Sequence, residues 1–342
     1  LQQYLFMKVL FPKNLVAKWD QALAQSSHIV VATHINPDGD AVGAMIGLGS
    51  FLRQQGYRVT CICPSPYPGF LAFLDKEKQV LVYSHQKEEV IRAVDKADMI
   101  VAVDVSGLSR MEEMGEFLLR IRAIKVLMDH HIDPVVEDFD LVFSTPQVSS
   151  TCELIFRVLN SWKPDAVFTR DQATAFLTGI ITDTNQFANS VFTETFHVAS
   201  LLHGWGADSE TIHSAVFQHF TLNRMRLMGH ALSNIKMLPQ FGAAYIVLTR
   251  DVLESCDYRN GDTEGFVNIP LAIKGISISA LFLQREDHIK VSLRSKGAIA
   301  VNGIAKQFFQ GGGHYNASAG KMEDDPGKIE ELLKEALGTI IA

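Results

Sequence analysis

Three short runs, Ile29 to Ala32 and Met99 to Val103, both wholly apolar, and Ala123 to Met128, apolar but for Lys125, constrain this chain most, because each runs into residues that can hold a cation. The first leads into Thr33-His34-Ile35-Asn36-Pro37-Asp38-Gly39-Asp40, the second into Asp104 and the third into Asp129-His130-His131. Unbroken apolar runs of this length read as strands buried on both faces, and helical patterns between them read as crossovers of a parallel sheet. Helices are expected around Leu15 to Gln25, Ala41 to Leu52 and Glu88 to Lys96, and a further strand over Tyr57 to Cys63. Acidic and imidazole side chains at several strand ends then share the sheet edge where open α/β folds bind ligands.

Two readings of the first loop stand side by side. Asn36-Pro37-Asp38-Gly39 can be an ordinary turn with Asp40 capping the next helix, or His34, Asp38 and Asp40 can ligate a divalent cation. A mixed imidazole and carboxylate set favours Mn²⁺, Fe²⁺, Co²⁺ or Zn²⁺ over Mg²⁺ or Ca²⁺. Asp183 follows an Ala-, Leu- and Ile-rich helix, Arg170 to Ile181, and gains interest only beside such a site. Ser149, Ser150, Thr151 and Glu153 read by default as the capped start of a helix. His197, His203, His213, His219 and His230 lie in a helical stretch without metal-binding spacing and read as surface or interhelical residues.

Size and composition set the outer bounds. With 342 residues, 47% of them hydrophobic, the chain can fill two domains. A formal net charge of −7 argues against sequence-independent binding of long nucleic acid, and leaves small or short anionic substrates open. Cys61, Cys63, Cys152 and Cys256 show no paired spacing and fit a reducing cytosol, with Cys61 and Cys63 packing on one face of a strand. No apolar run is long enough for a bilayer, and Leu1 to Leu10 is too short for a signal peptide, so a soluble cytoplasmic protein is expected. Met7 is an alternative start, with Leu1 to Phe6 then an upstream extension.

The domains are expected at 1–236 and 243–342, with Pro239 and Gly242 marking a linker over 237–242. In the second, strands over Ile276 to Leu283 and His288 to Ser295, a helix over Asn302 to Phe309 and another from Pro326 to Leu337 describe a small α+β domain. Gly311-Gly312-Gly313-His314 can bring backbone N–H groups and an imidazole to an anion, or be a flexible turn. Arg294 can grip a phosphate, or be an ordinary solvated arginine.

His34, Asp38, Asp40, Asp104, His130 and Asp183 make six donors, more than one ion needs. Two ions bridged by Asp104, about 3.5–4 Å apart with a hydroxide nucleophile between them, would hydrolyse a phosphoester or phosphoanhydride.

This series, His34-x-x-x-Asp38-x-Asp40, Asp104, Asp129-His130-His131, Asp183 and Gly311-Gly312-Gly313-His314, resembles the DHH phosphoesterase superfamily, over Ile29 to Lys321. The two-domain length resembles its nanoRNase and pAp-phosphatase branch. The resemblance implies an α/β fold with a parallel-sheet amino-terminal domain, and a smaller α+β DHH-associated domain facing it across a cleft. It implies one Mn²⁺ on His34, Asp38 and Asp104 and a second on Asp40, Asp104, His130 and Asp183, with Asp104, His130 and His131 at the reacting centre. His131, Arg294, Gly312, Gly313 and His314 become substrate ligands, and Arg110 falls where relatives carry a phosphate-contacting arginine. Asn185 departs from the glycine that commonly follows Thr-Asp-Thr in relatives, which bears on local backbone geometry. The implied substrates are adenosine 3′,5′-bisphosphate or oligoribonucleotides a few residues long, and the implied assembly is a homodimer. The alternatives are a c-di-AMP or pApA phosphodiesterase, an inorganic pyrophosphatase, which the glycine-rich motif argues against, and an inactive nucleotide-binding regulator, which would predict a broken donor set.

Overall fold

The computed structural model describes residues 10–218, 220–313 and 315–341. His219, His314 and residues 1–9, with the readings placed on Leu1 to Phe6 and Met7, lie outside them. The chain divides into two compact units, Leu1–His219 and Phe220–Ala342.

The first unit runs α1 (Lys13–Ala24), β1 (His28–Ala32), α2 (Gly39–Gln54), β2 (Arg58–Cys63), β3 (Leu81–Val82), α3 (Lys87–Val94), β4 (Met99–Val103), α4 (Glu112–Arg120), β5 (Ile124–Asp129), β6 (Leu141–Ser144), α5 (Thr151–Trp162), α6 (Arg170–Asp183), α7 (Thr193–Gly204) and α8 (Ser209–Phe217). Its six strands form one sheet in the order β3-β2-β1-β4-β5-β6, and every pair is parallel. Every residue of β1 and β4 is buried, which is why both read as unbroken apolar runs. Val31, Val101 and Val103 face a core with Trp19, Met45, Phe51, Phe156 and Phe176. Val30, Ile100 and Ala102 face a second core with Val90, Val94, Met114 and Leu118. Full burial of one such Val, Leu or Ile contributes about 1.5–3 kcal/mol before ordering entropy is subtracted. Cys61 and Cys63 pack in the first of these cores as free thiols.

Strand order reverses between β1 and β4, so the crevice of a doubly wound sheet opens at their carboxyl ends. Helix α6 reaches the same edge because its middle carries Gly179, where a Cβ would collide with Cys152 Sγ and Asp40 Oδ1. That close approach to α2 and α5 brings Asp183, the last residue of α6, to the strand ends.

The second unit comprises α9 (Leu222–Ser233), β7 (Lys236–Leu238), β8 (Ala243–Leu248), α10 (Arg250–Ser255), β9 (Ile278–Gln284), β10 (His288–Ser295), α11 (Asn302–Phe308), β11 (Gly312–Gly313), β12 (Ala317–Glu323) and α12 (Ile329–Ile341). Its sheet has the order β11-β12-β10-β9-β8-β7, antiparallel except for the β8/β9 pair. One face packs Ile289, Val291 and Leu293 on Ile304, Phe309, Leu333 and Leu337 from the helices. On the other face, Ile246, Leu248, Leu281 and Leu283 are covered by Leu227, Ala231 and Phe266.

Packing moves the division expected at 236. Leu227 and Ala231 of α9 bury against β8 and β9, so this helix belongs with the second unit. The stretch expected to be a linker is the turn of a hairpin: β7 pairs with β8, and Pro239–Phe241 forms a short 3-10 turn closed by Gly242 at φ 56°. Pro and Gly do punctuate the chain here, but a tight turn uses them as readily as a linker does. Strand β12 escaped the sequence reading because Ala317-Ser318-Ala319-Gly320 has no β-branched or aromatic residue. Among the described residues no helix is long and apolar enough to cross a membrane.

Candidate metal centre

The turn after β1 caps and ligates at once. Asp38, not Asp40, is the N-cap of α2, its Oδ1 accepting from the N–H groups of Asp40 at 3.0 Å and Ala41 at 3.1 Å. That leaves the Asp40 carboxylate free to turn inward, where it is 1% exposed. Its two oxygens accept from the first N–H groups of α5, Thr151 at 2.6 Å and Cys152 at 2.9 Å. A helix N-terminus has such donors to spare, and its dipole favours the negative charge. His34 donates from Nδ1 to its neighbour's carbonyl, Ile35 O, at 2.8 Å, which leaves Nε2 as a lone-pair donor 3.5 Å from Asp104 Oδ2.

Asp104 lies at the centre. Its φ of 53° is left-handed, a conformation that costs a residue other than glycine about 1–3 kcal/mol and that persists where the surroundings impose it. Here the Asp104 N–H is held by Met128 O of β5 at 3.0 Å. The carboxylate accepts the Thr151 hydroxyl at 2.9 Å, and its Oδ1 is 3.7 Å from His130 Nε2. His130 Nε2 is also 3.5 Å from Asp183 Oδ2 and 4.0 Å from Asp40 Oδ2. His131 donates from Nδ1 to Asp129 Oδ1 at 2.6 Å and stands 3.9 Å from Asp104 Oδ1.

All six expected donors therefore converge, and their ligand atoms fall into overlapping groups: His34, Asp38 and Asp104; Asp40, His130 and Asp183; and Asp104, His130 and His131. Within each group the ligand atoms lie within 4.8 Å of one another. Asp104 and His130 each belong to two of them, so the groups form one continuous cluster of donors.

The charges ask for cations. Burial, then the neighbouring Asp104 charge, pushes Asp40 up to about 7 and raises Asp38. Asp183, at the rim with its side chain 30% exposed, is raised well above the carboxylate range by lost solvation and by Asp40 and Asp104. Burial works against charge on Asp104 too, but His34 and His130 outweigh it and hold its carboxyl well below the usual range. Burial likewise opposes charge on His34, and Asp104 overcomes this to lift the imidazole to about 9. The proton that Asp104 holds on His34 stands where a cation would, and oxygen with imidazole donors fits divalent ions.

Residues 28–180 match the DHH family, N-terminal domain, and residues 243–342 match the DHHA1 domain. An exopolyphosphatase-related protein of Bacteroides fragilis, known from its crystal structure, is 33% identical with a TM-score of 0.94, covering 97% of this chain and 98% of that one. The chain belongs to the DHH family of phosphoesterases. Among curated relatives, the bifunctional oligoribonuclease and PAP phosphatase NrnA of Thermus thermophilus is 29% identical over 90% of this chain and 89% of its own length. The cyclic-di-AMP phosphodiesterase GdpP of Geobacillus thermodenitrificans is 26% identical over 93% of this chain but only 48% of its own. Divalent-metal dependence accompanies the family and the Asp/His cluster.

Within the DHH domain the sequence reading missed Thr151, taken as a cap residue. The cap is Ser150, whose side chain accepts from Glu153 N at 3.1 Å, and Thr151 turns into the centre instead. The signal was present, since the residue after an N-cap has an unpaired N–H to offer, but only tertiary contact shows to whom. Glu153 is fully buried and anchors this helix start by accepting from Ser149 N and Oγ, Thr195 Oγ1 and Arg157, at 2.7–3.1 Å. Asp129 was also passed over as a partner of His131. Asn185 takes φ 48°, a left-handed value that asparagine tolerates better than most residues. His197, His203, His213 and His230 take no part in the donor groups.

In the DHHA1 domain, Arg294 is half-buried on β10 and has no carboxylate partner among the described residues, donating only to Leu293 O at 2.9 Å. Burial lowers its pKa. Gly312 and Gly313 form β11, paired with Ala319 and Ser318, so the motif is a strand rather than a flexible turn. Arg110 is exposed on the loop after β4, and its carbonyl accepts from Ile35 N at 3.1 Å.

Proposed function

We propose that this phosphoesterase hydrolyses small nucleotide phosphates, adenosine 3′,5′-bisphosphate to AMP or short oligoribonucleotides to 5′ mononucleotides. The convergence of two donor triads on Asp104 carries the reading, and curated relatives that match over most of their length bear names of this activity. His34, Asp38 and Asp104 would hold one ion and Asp40, Asp104, His130 and Asp183 the other; mixed imidazole and carboxylate ligation suits Mn²⁺, Fe²⁺, Co²⁺ or Zn²⁺, and the family resemblance favours Mn²⁺. Bound there, two divalent ions supply a nucleophile at neutral pH and clamp the attacking and leaving oxygens of a phosphoryl group.

The chain's own residues do the rest. The α5 N–H groups fix both Asp40 oxygens, and the Thr151 hydroxyl fixes Asp104 Oδ1, so the ligands are ordered before any ion arrives. Asp129 accepts from His131 Nδ1 and orients the imidazole towards the centre, where it is assigned a contact with the substrate phosphate; burial opposes charge on the ring, and Asp129 raises its pKa. Arg294, Gly312, Gly313 and His314 take the remaining phosphate and nucleoside, and Arg110 is assigned a phosphate contact. Gly312 supports this because a Cβ there would meet nothing within 4 Å, so the fold itself does not require glycine. An approaching ligand would.

A c-di-AMP or pApA phosphodiesterase needs the same centre and ranks second, since the relative named for it matches over only half its length. A homodimer rests on family resemblance, and a reducing cytosol on the four buried free thiols. The test offers the purified protein with Mn²⁺ the bisphosphate, pApA, a short RNA, c-di-AMP and pyrophosphate in parallel, with Asp104→Asn as control. Turnover of the bisphosphate or short RNA that vanishes in the variant supports the reading; selective turnover of c-di-AMP or pyrophosphate overturns it.

A further inference from the structure

We propose that Glu153 is a positioning residue for one half of the metal centre: its buried carboxylate ties the starts of α5 and α7 together and so places Asp40 and Asp183, two ligands assigned to the same ion. The inference rests on the two-ion reading above and adds to it a residue outside the donor groups.

Glu153 is fully buried, and its partner Arg157 is only 5% exposed. A buried ion pair is weak grounds for stability, since apolar side chains of the same volume often do as well. What the carboxylate joins is more telling. Oε1 accepts from Arg157 at 3.0 Å, which leaves Oε2 for the Ser149 N–H at 3.1 Å and for the hydroxyls of Ser149 and Thr195, each at 2.7 Å. A glutamate at this place in a helix ordinarily reaches back to the N–H of the capping residue, here Ser150. Glu153 reaches past it to Ser149 and across to another helix.

One arm leads to Asp40. Ser149 holds the chain just before α5, whose first two N–H groups, those of Thr151 and Cys152, take both Asp40 oxygens. The other arm leads to Asp183. Thr195 lies in the first turn of α7, and its hydroxyl accepts from Phe192 N at 3.1 Å while it donates to Glu153. Phe192 closes the loop that leaves Asp183, and in that loop Asn185, Gln186 and Phe187 are left-handed in succession, with Ser190 a fourth. Residues other than glycine keep such angles only where the surroundings impose them. Thr184 imposes them at the near end, where the N–H groups of Phe187 and Ala188 each lie 2.9 Å from one of its oxygens. At the far end the anchor is Thr195 on Glu153.

Asp183 is the ligand that needs this support. Asp38 caps α2, Asp40 is held by two N–H groups and Asp104 by the Thr151 hydroxyl, but no hydrogen bond holds the Asp183 carboxylate among the described residues. Its place is set by the backbone on either side. His34 and Asp38 are fixed within the turn after β1, and Asp104, which both ions share, keeps its own backbone anchor on Met128 O.

The test is a calorimetric Mn²⁺ titration of the full chain, with Asp38→Asn and Asp183→Asn marking which binding step belongs to which ion. The wild type should take up two ions. Glu153→Gln keeps the side-chain volume but not both acceptors, because an amide turned either way sets its NH₂ against Arg157 or against the Ser149 N–H. It should weaken the step lost in Asp183→Asn by about 10–100-fold and leave the other within about threefold. Thr195→Val exchanges one hydroxyl for a methyl and should weaken the same step, which carries the test where Glu153→Gln fails to fold. Added to Glu153→Gln it should change little further, since the two residues act as one link. Both steps weakened alike, neither step changed, or additive losses from the two variants overturn the positioning role and keep the two ions. A wild type that takes up a single ion ends the two-ion reading, and the proposal with it.

Discussion

The two sheets of this chain handle charge in opposite ways. At the carboxyl ends of β1, β4 and β5, four aspartates crowd with His34 and His130, and burial pushes most of the carboxylates upward in pKa. On the open face of β10 and β12 stand Arg294, Lys290 and Lys321, with no carboxylate paired to them among the described residues. Crowded buried carboxylates are costly without compensating positive charge, so the first cluster suits divalent cations, whereas the lysines of the second sheet stand in water and need no partner for stability.

That contrast can be broken most sharply at Asp104. Asp104→Asn should lower turnover by on the order of 10³-fold or more and reduce bound Mn²⁺, while circular dichroism stays native, because a shared ligand is lost and not a core side chain. Turnover within tenfold of wild type would end the two-ion assignment. Thr151→Val tests whether the α5 helix start orders the ligands. Loss of its hydroxyl contact should cost about 10–100-fold in metal affinity or activity, the usual range for a group that orients a ligand. Arg294→Ala should raise KM about tenfold and leave metal content intact, reversing the pattern of Asp104→Asn. A variant that lost metal instead would mean that the two sheets are not separable in this way.

A smaller effect comes from pH. Asp40 rises from an ordinary carboxylate value to about 7 in the metal-free fold, so it must shed a proton before it ligates well. Mn²⁺ affinity should therefore weaken several-fold as pH falls from 8 to 6, with protons released on binding near neutrality. For the metal-free protein the sign is opposite. A carboxyl raised in the fold contributes stability below its unfolded pKa and loses it as pH rises through about 7, so the melting temperature in EDTA should drop between pH 5 and 8. Saturating Mn²⁺ should flatten that drop; a metal-free protein that grows more stable across this range would contradict the crowding of carboxylates.

Much was legible in the sequence where chemistry and position coincide locally. Strands buried on both faces have to be mostly apolar, so the runs of β1 and β4, the largely apolar β5 and the acidic or imidazole residues that follow them could be read directly, and with them the parallel sheet. Asn185 stood out only through the family resemblance, and its left-handed φ is a finding of the structure. Long-range partners left no such mark. Thr151 looks like any residue at a helix start, and its value comes from Asp40 and Asp104, 111 and 47 positions away. Helix α9 carries an amphipathic pattern that says it must pack, not on which unit, and its burial against β8 and β9 shifted the domain division. The small residues of β12 give no hydrophobic period, and only pairing with β10 makes them a strand and sets Lys321 opposite Lys290. Residue type and local spacing thus determined the ligands and the strands that deliver them. Which side chains serve those ligands, and which cations stand together unpaired, was decided by tertiary contact, because hydrogen bonds and strand registers form between segments that the chain order does not bring together.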